Sequence, residues 1–414
     1  MKTAPSTIIE MTPEDTSLPE AAVLQPLRPK DRFLVFGSHC IEQEEIDEVV
    51  ASMKSAWLGT GPKVAQFEKD FAIYKGVPYA VAVNSCTAAL HLAMLVSGVG
   101  PDDEVITTPM TFCATVNAII HTGARPVLAD IDPVSMNMDP DQVEARITPQ
   151  TKAILPVHFA GRPCNMDRLC EIARRYNLLI IEDCAHAIET EYKGRKAGLF
   201  GDLSCFSFYV TKNIVTGEGG MILTANQAYA ARAKTLALHG MSADAWSRFS
   251  DEGYKHYLVT EAGFKYNMMD IQAAMGIHQL KRVEQWWERR REIWRRYNEA
   301  FAGLPITLPA DPEPDTRHAY HLYTILINKD KTGISRDEFL CAMNAQNIGT
   351  GVHYLSVPEH PFYQETFGWK PENYPNAMRI GRQTVSLPLS AKLTDEDVKD
   401  IIYCVKNLAT LITR

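Results

Sequence analysis

Lys212 stands where an apolar strand should end, within the stretch 205–220, CFSFYVTKNIVTGEGG. Phe206, Phe208 and Val210 alternate with Ser207 on the opposite face, which is strand periodicity. The turn cluster Thr216-Gly217-Glu218-Gly219-Gly220 then leads into a second short apolar run, Met221-Ile222-Leu223. A lysine held between two strands by a glycine-rich turn is well placed for carbonyl chemistry. Its amine condenses with an aldehyde once desolvation or a neighbouring cation lowers its pKa. The same residue also reads as a solvated lysine in a hairpin.

Other groups with chemistry fall at the ends of expected strands. Asn84-Ser85-Cys86-Thr87 lies between a strand and a helix, where hydroxyls cap the helix and its free N–H groups form an anion cup. Plain capping explains Ser85 and Thr87 as well. Asp183 closes the apolar run Ile180-Ile181, a costly place for a carboxylate unless it meets a cation. That cation is a protonated ring nitrogen, an arginine or a helix N-terminus. Phe112 follows Thr107-Thr108-Pro109-Met110-Thr111 and can stack on a flat ring or fill a core. Cys184, His186 and His158 make a weak metal set, with no CxxC or HxxxH partner, so no metal is expected. An anion cup, an aromatic plate, a buried acid and an isolated lysine together meet the needs of pyridoxal phosphate (PLP). The phosphate is anchored, the acid keeps the ring nitrogen protonated, and the lysine carries the aldehyde.

The elements that must position these groups form a β/α rhythm. Strands are expected over 80–83, 104–107, 126–129, 151–157 and 178–181, with helices over 88–96, 115–121 and 166–176. This order implies an α/β fold with a largely parallel sheet covered on both faces, and ligands bound outside the strands' carboxyl ends. Ile46, Val49, Val50, Met53 and Trp57 mark an earlier helix, ended by Leu58-Gly59-Thr60-Gly61-Pro62. A long helix runs from about residue 270, with Leu280, Val283, Trp287, Trp294, Tyr297 and Phe301 on one face. Its arginines at 289, 290, 291, 295 and 296 read as a solvated face or a subunit contact. Residues 1–30 read as a flexible arm, 31–301 as a large domain and 302–414 as a small C-terminal α+β domain. The small domain is expected to hold strands over 322–327 and near 350–354, with helices over 336–344 and 395–412.

A chain of 414 residues with 46% apolar and 22% charged content has the composition of a soluble protein with a sizeable core. Its net charge of −8 argues against nucleic acid as a partner. Nine cysteines without a tight framework read as reduced thiols, hence a cytoplasmic protein. No apolar run reaches membrane-spanning length, so no membrane partner is expected.

The motifs VNSCTAALHLA, DEVITTPMTFCAT, PVHFAGRPCNMD, IEDCAHAIETEYKGRKAGLFGD, CFSFYVTKNIVTGEGGMI and GFKYNMMDIQAAMG resemble the DegT/StrS group of sugar-nucleotide aminotransferases. The resemblance runs from about Val35 to the C-terminus and implies the three-layer, fold type I PLP-transferase architecture. It makes Lys212 the cofactor lysine and proton shuttle, Asp183 the partner of the ring nitrogen, and His186 the partner of the phenolic oxygen. Phe112 would stack on the ring, while Ser85, Cys86, Thr87 and Ser207 would hold the phosphate. Relatives often place asparagine and arginine where this chain has Lys265 and Asn267, at a phosphate contact made across a homodimer interface. Trp57, Gly59, Thr60, His353 and Tyr354 would face the substrate. The implied reaction moves an amino group from an amino acid, glutamate by analogy, to the 4-keto carbon of a sugar nucleotide. A sugar dehydratase of the same fold would carry histidine in place of Lys212, and a non-catalytic sensor would bind the cofactor without turnover.

Overall fold

The computed structural model describes residues 26–55, 57–241 and 257–411, so the expected N-terminal arm falls outside it up to residue 25. The strands in chain order are β1 (Tyr79–Val83), β2 (Glu104–Thr107), β3 (Arg125–Leu128), β4 (Thr151–Ile154) and β5 (Leu179–Asp183). They continue with β6 (Glu191–Tyr192), β7 (Arg195–Lys196), β8 (Leu203–Ser207) and β9 (Gly220–Thr224). Seven of them form one sheet in the order β1-β9-β8-β5-β4-β2-β3. β9 is antiparallel to both neighbours and every other pair is parallel. The carboxyl ends of the remaining six strands therefore share one edge, which is where ligand chemistry is expected.

Period-two alternation divides each strand between two cores. Val81 and Val83 join Ile222, Cys205 and Ile181 beneath the helices Cys86–Val96 and Gln227–Ala237. Ala80 and Ala82 turn the other way, toward Phe67 and Phe71 of the helix Pro62–Lys75 and Ala273 to Val283 of the helix Asp270–Phe301. The result is three layers. Phe71 lies 5.2 Å from Phe206 and 5.5 Å from Phe208 between ring centroids. Each such buried ring contributes about 1.5–3 kcal/mol, which anchors the start of the lysine loop.

The long helix serves a second core with its other half. Ile293, Trp294, Tyr297 and Phe301 pack on β11 (Tyr323–Leu326) and β12 (Thr384–Leu387), an antiparallel pair, after β10 (Thr316–Arg317) has joined β6. The change of packing partner thus falls inside the helix, ahead of the boundary expected at residue 302. Four of its arginines make surface ion pairs: Arg289 with Glu292, Arg291 with Glu288, Arg295 with Glu299 and Arg296 with Asp395. Arg290 is buried instead and pairs with Glu189.

Several local expectations shift. The strand expected to run through Val210 ends at Ser207, because the Lys212 N–H turns back to the Tyr209 carbonyl at 2.8 Å. Around 350–354 there is a single bridge, Gly351 to Ser386, in place of a strand. The helix Gln43–Lys54 buries Glu45 and Ser52 and leaves Ile46, Val50 and Met53 exposed, the reverse of a core-facing helix. Residues 26–30, the described end of the expected arm, are tied down. Arg28 is buried and reaches Asp400 at 2.6 Å and Asp397 at 2.8 Å on the last helix, Asp395–Leu411.

Asp270 locks the two helices that meet at the Gly59-Thr60-Gly61 turn. Its carboxylate accepts from the N–H groups of Gly61 (2.8 Å), Lys63 (3.1 Å) and Val64 (3.0 Å), the open donors of the helix Pro62–Lys75. Asp270→Ala should cost about 2 kcal/mol, the upper range for an N-cap, read as a lower urea midpoint. An unchanged midpoint would mean the turn holds itself.

Candidate active site

The sheet's register assembles the cup. Gly220 pairs with Val83 on one side and Ser207 on the other, so one rung carries all three to the carboxyl edge. Only glycine fits there. A Cβ on Gly220 would lie 2.5 Å from the Ser85 carbonyl oxygen and 2.8 Å from the Cys86 nitrogen. Ser85 caps the following helix, its Oγ accepting from the Ala88 N–H at 3.1 Å. The first-turn N–H groups of Cys86 and Thr87 have no intrahelical acceptor and remain for an anion. Ser207 is buried beside them and its Oγ accepts from the Tyr209 N–H at 3.4 Å.

Asp183 ends β5 next to Cys205 and is 4% exposed. One carboxylate oxygen accepts from Thr115 Oγ1 at 2.9 Å and the other from the Ala185 N–H at 3.0 Å. Burial nonetheless raises its pKa above the ordinary carboxylate range. No sequence pattern singles out Thr115, although it lies in the TFCAT run. Thr115 lies on a helix and its partner ends a strand 68 residues away, so nothing local points to it.

Lys212 occupies a closed loop. The Phe208 N–H bonds the Gly219 carbonyl at 2.9 Å, the Thr216 N–H bonds the Phe208 carbonyl at 2.9 Å, and Gly217 takes the left-handed φ of 80° that closes the turn. Desolvation lowers the Lys212 amine to about 8, against the opposing pull of Cys86 and Asp183. Phe112 is 59% exposed at the start of the helix Cys113–His121, so its ring is free to stack and is no part of a core. Its centroid lies 6.0 Å from that of Tyr354.

His186 has a defined tautomer. The Ala160 N–H donates to its Nδ1 at 3.2 Å, so Nε2 carries the proton and faces the Tyr354 hydroxyl at 3.1 Å. Burial, then Lys212, His321 and His353, hold its pKa well below the usual imidazole range. His353 meets Ser386 Oγ at 2.8 Å and is likewise depressed by burial, to about 3. His321 lies against His186, with ring centroids 4.4 Å apart, and is a site residue that sequence reasoning missed.

His158, Glu182 and Cys184 do come together, but the acid and the imidazole are already engaged with protein groups. Glu182 accepts from Gly198, Phe200 and Gly201 N–H groups at 2.7–2.8 Å and from His158 Nε2 at 3.0 Å. His158 Nδ1 accepts from the Cys164 N–H at 3.1 Å.

The remaining sequence candidates are held elsewhere. Thr60 Oγ1 donates to the Met268 carbonyl at 2.5 Å and accepts from Asn267 Nδ2 at 2.7 Å, and the Gly59 carbonyl accepts the Asp270 N–H. With exposed Trp57, Thr60 and Asn267 line an open cleft of about 470 Å³ beside the edge strand β1. Lys265 is exposed on the same segment, whose backbone bridges Asn267 to Val83.

The donor set fits PLP: two open amides at a helix start for a phosphate, an exposed ring for stacking, a carboxylate in need of a cation, and a desolvated amine. The sequence profile of the DegT/DnrJ/EryC1/StrS aminotransferase family matches residues 39–406. The chain is 48% identical over 383 residues to the spore coat polysaccharide biosynthesis protein SpsC of Bacillus subtilis, covering 92% of this chain and 98% of that protein. The PLP form of Spr1654 from Streptococcus pneumoniae superposes with a TM-score of 0.84 at 34% identity, over 92% of this chain and 99% of the other. Helicobacter pylori PseC, an aminotransferase involved in the biosynthesis of pseudoaminic acid, gives 0.85 at 27%, over 92% and 100%.

Only the free amine attacks an aldehyde, so capture of PLP by the cofactor-free protein should accelerate tenfold per pH unit and level off above about 8. At pH 7 roughly a tenth of such an amine is free, against about 0.04% for an ordinary lysine. Stopped-flow absorbance measures this, and a midpoint above pH 10 would contradict the desolvated amine. Thr115→Val removes a hydrogen bond to a charged group, worth about 1.5–3 kcal/mol. PLP affinity should then fall about ten- to a hundred-fold by equilibrium titration, and an unchanged Kd would dismiss the contact.

Proposed function

We propose that this chain, which belongs to the DegT/DnrJ/EryC1/StrS aminotransferase family, moves an amino group from glutamate to the 4-keto carbon of a sugar nucleotide. The protein is a PLP-dependent sugar aminotransferase of fold type I. The observation that carries the reading is the sheet's carboxyl edge, where Asp183 ends β5 buried, Ser207 ends β8 ahead of the Lys212 loop, and the open first-turn amides of Cys86 and Thr87 follow β1. The names of SpsC and PseC support a sugar acceptor, and the motif resemblance supports the nucleotide, the 4-keto position and the donor.

PLP, when bound, supplies an electron-accepting ring and a carbonyl that carries the amine. Every other contribution comes from the chain. The Cys86 and Thr87 amides, with Ser207, would hold the phosphate. Phe112 covers one face. Asp183 supplies negative charge at the ring nitrogen, where its own desolvation is relieved by the cation it meets. His186 offers its Nε2 proton toward the phenolic oxygen. Lys212 would move a proton between the donor's α-carbon and the cofactor's aldehyde carbon, a task suited to an amine with a pKa near the working pH.

A homodimer is part of this reading. Ile46, Val50, Met53, Trp57 and Leu58 form an exposed apolar surface, which Lys265 and Asn267 would extend toward a neighbouring copy's phosphate site. We place the enzyme in the cytoplasm, in keeping with nine cysteines that are all free thiols.

Glutamate should bleach the visible absorbance of the PLP-loaded protein, and the right keto-sugar nucleotide should restore it. Lys212→Ala should lower turnover by about 10²–10⁴-fold, the range for loss of a positioned acid–base group. Full turnover in that variant would refute the assignment, and colour that glutamate never bleaches would point to a sensor.

A further inference from the structure

Three segments meet at one buried amide of the long helix. Gln279 is 1% exposed, and its Oε1 accepts from the buried Val215 N–H at 3.3 Å. Its Nε2 donates to the Cys40 carbonyl at 2.9 Å and to the Glu45 carboxylate at 2.9 Å. Two acceptors on that side fix which end of the amide faces Val215. Glu45 is itself wholly buried, held by Arg282 and by the Glu42 N–H at 3.0 Å. Gln279 is thereby fastened to the helix Gln43–Lys54 and to the chain ahead of it, and gives its remaining group to the lysine loop.

Val215 lies three residues after Lys212 and is one of three points at which the long helix grips that loop. Toward the helix start, Gln272 Nε2 donates to the Glu218 carbonyl at 2.7 Å. Toward its end, Arg290 pairs with buried Glu189, which accepts from Asn213 Nδ2 at 2.8 Å. The Ala319 carbonyl accepts from the same nitrogen at 3.2 Å, so Asn213 Oδ1 is the end that faces His321. Positions 272, 279 and 290 stand at intervals of seven and eleven residues, near whole turns of a helix, and so share one face. Residues 208–219 form neither helix nor strand. Ahead of Asn213 the loop closes on itself, the Lys212 N–H bonding the Tyr209 carbonyl at 2.8 Å, while beyond Lys212 the side chains of the long helix hold it in place.

We propose that Gln279 is a positioning residue for Lys212: by holding the Val215 amide it fixes, with Gln272, where the lysine loop sits on the long helix and hence the point from which the lysine side chain reaches. The inference rests on Lys212 being the lysine that takes up PLP. Without the Gln279 oxygen the Val215 N–H is buried with no acceptor, and the loop moves to bring it to water. A misplacement of about 1 Å remote from the chemistry costs up to about a hundredfold in rate. A loosened loop also hydrates the Lys212 ammonium, which favours the charged form.

The test reads the pH midpoint of PLP capture by the cofactor-free protein, together with kcat and KM of the loaded enzyme. Gln279→Leu changes no charge and leaves Cys86, Asp183, His186, His321 and His353, the ionisable groups around Lys212, as they are. Its midpoint should rise by about one pH unit, with kcat down about tenfold and KM within about threefold. Should the leucine variant fail to fold, Gln272→Ala, at the exposed contact, should show the same upward shift. A midpoint unchanged in the leucine variant, or in Gln272→Ala if that is the one that folds, overturns the proposal. So does a variant that loses stability to urea while its midpoint and kcat stay those of the wild type. Wild-type protein that never captures PLP, or Lys212→Ala protein that captures it with the same colour, overturns instead the assignment of Lys212.

Discussion

A carboxylate at the end of a buried strand costs more than its hydrogen bonds return, and this imbalance at Asp183 organises the site. Thr115 and the Ala185 amide each donate to it, and Lys212 and His158 add favourable charge, yet burial still raises its pKa. The fold keeps an acid that a cation would relieve. Binding a ring with a protonated nitrogen supplies that cation, so free energy withheld from folding becomes affinity and electronic control at the ring. The helix Cys113–His121, which brings Thr115 and ends its N-terminal side in exposed Phe112, therefore serves both the acid and the stacking face.

The neighbouring acid shows what the same strand does when the carboxylate is structural. Glu182 is one residue away and, by strand alternation, on the opposite face. It is wholly buried, and three loop amides and His158 saturate it. Its pKa is lowered, despite burial, by those donors. Glu182 thus closes the 198–201 loop, whereas Asp183 is left in need.

Much of this arrangement is legible in the amino-acid sequence. The β/α rhythm, the lysine after an alternating run and the acid closing an apolar strand are local patterns, and local periodicity reports which face is buried. Placing Ser85, Asp183 and Ser207 at strand ends suffices to bring them to one edge, because parallel strands share their carboxyl side. What the sequence hides depends on tertiary partners. Thr115 and His321 matter only through Asp183 and Asn213, far away in the chain. The helix Gln43–Lys54 shows why an apolar stripe is ambiguous. Its periodicity announces a buried face, but Glu45 is buried by Arg282 and Gln279 of the long helix while the stripe faces outward. Periodicity marks a surface that needs a partner and does not say whether that partner is the same chain. The Gly59-Thr60-Gly61 turn is the converse case: residues read as facing substrate are occupied by Asp270, Met268 and Asn267.

The three imidazoles around Lys212 complete the electrostatic logic. His186, His321 and His353 are all kept neutral, by burial first and by the lysine second. Charged, they would oppose the ammonium and weaken the field of Asp183. Neutral, each offers one donor and one acceptor, and in two of them the direction is set by a fixed partner: the Ala160 amide for His186 and Asn213 for His321. Polarity is thereby supplied without net charge. The proton positions on His186 and His321 are decided by backbone and amide groups that do not titrate near neutral pH, while desolvation brings the Lys212 amine down to about 8.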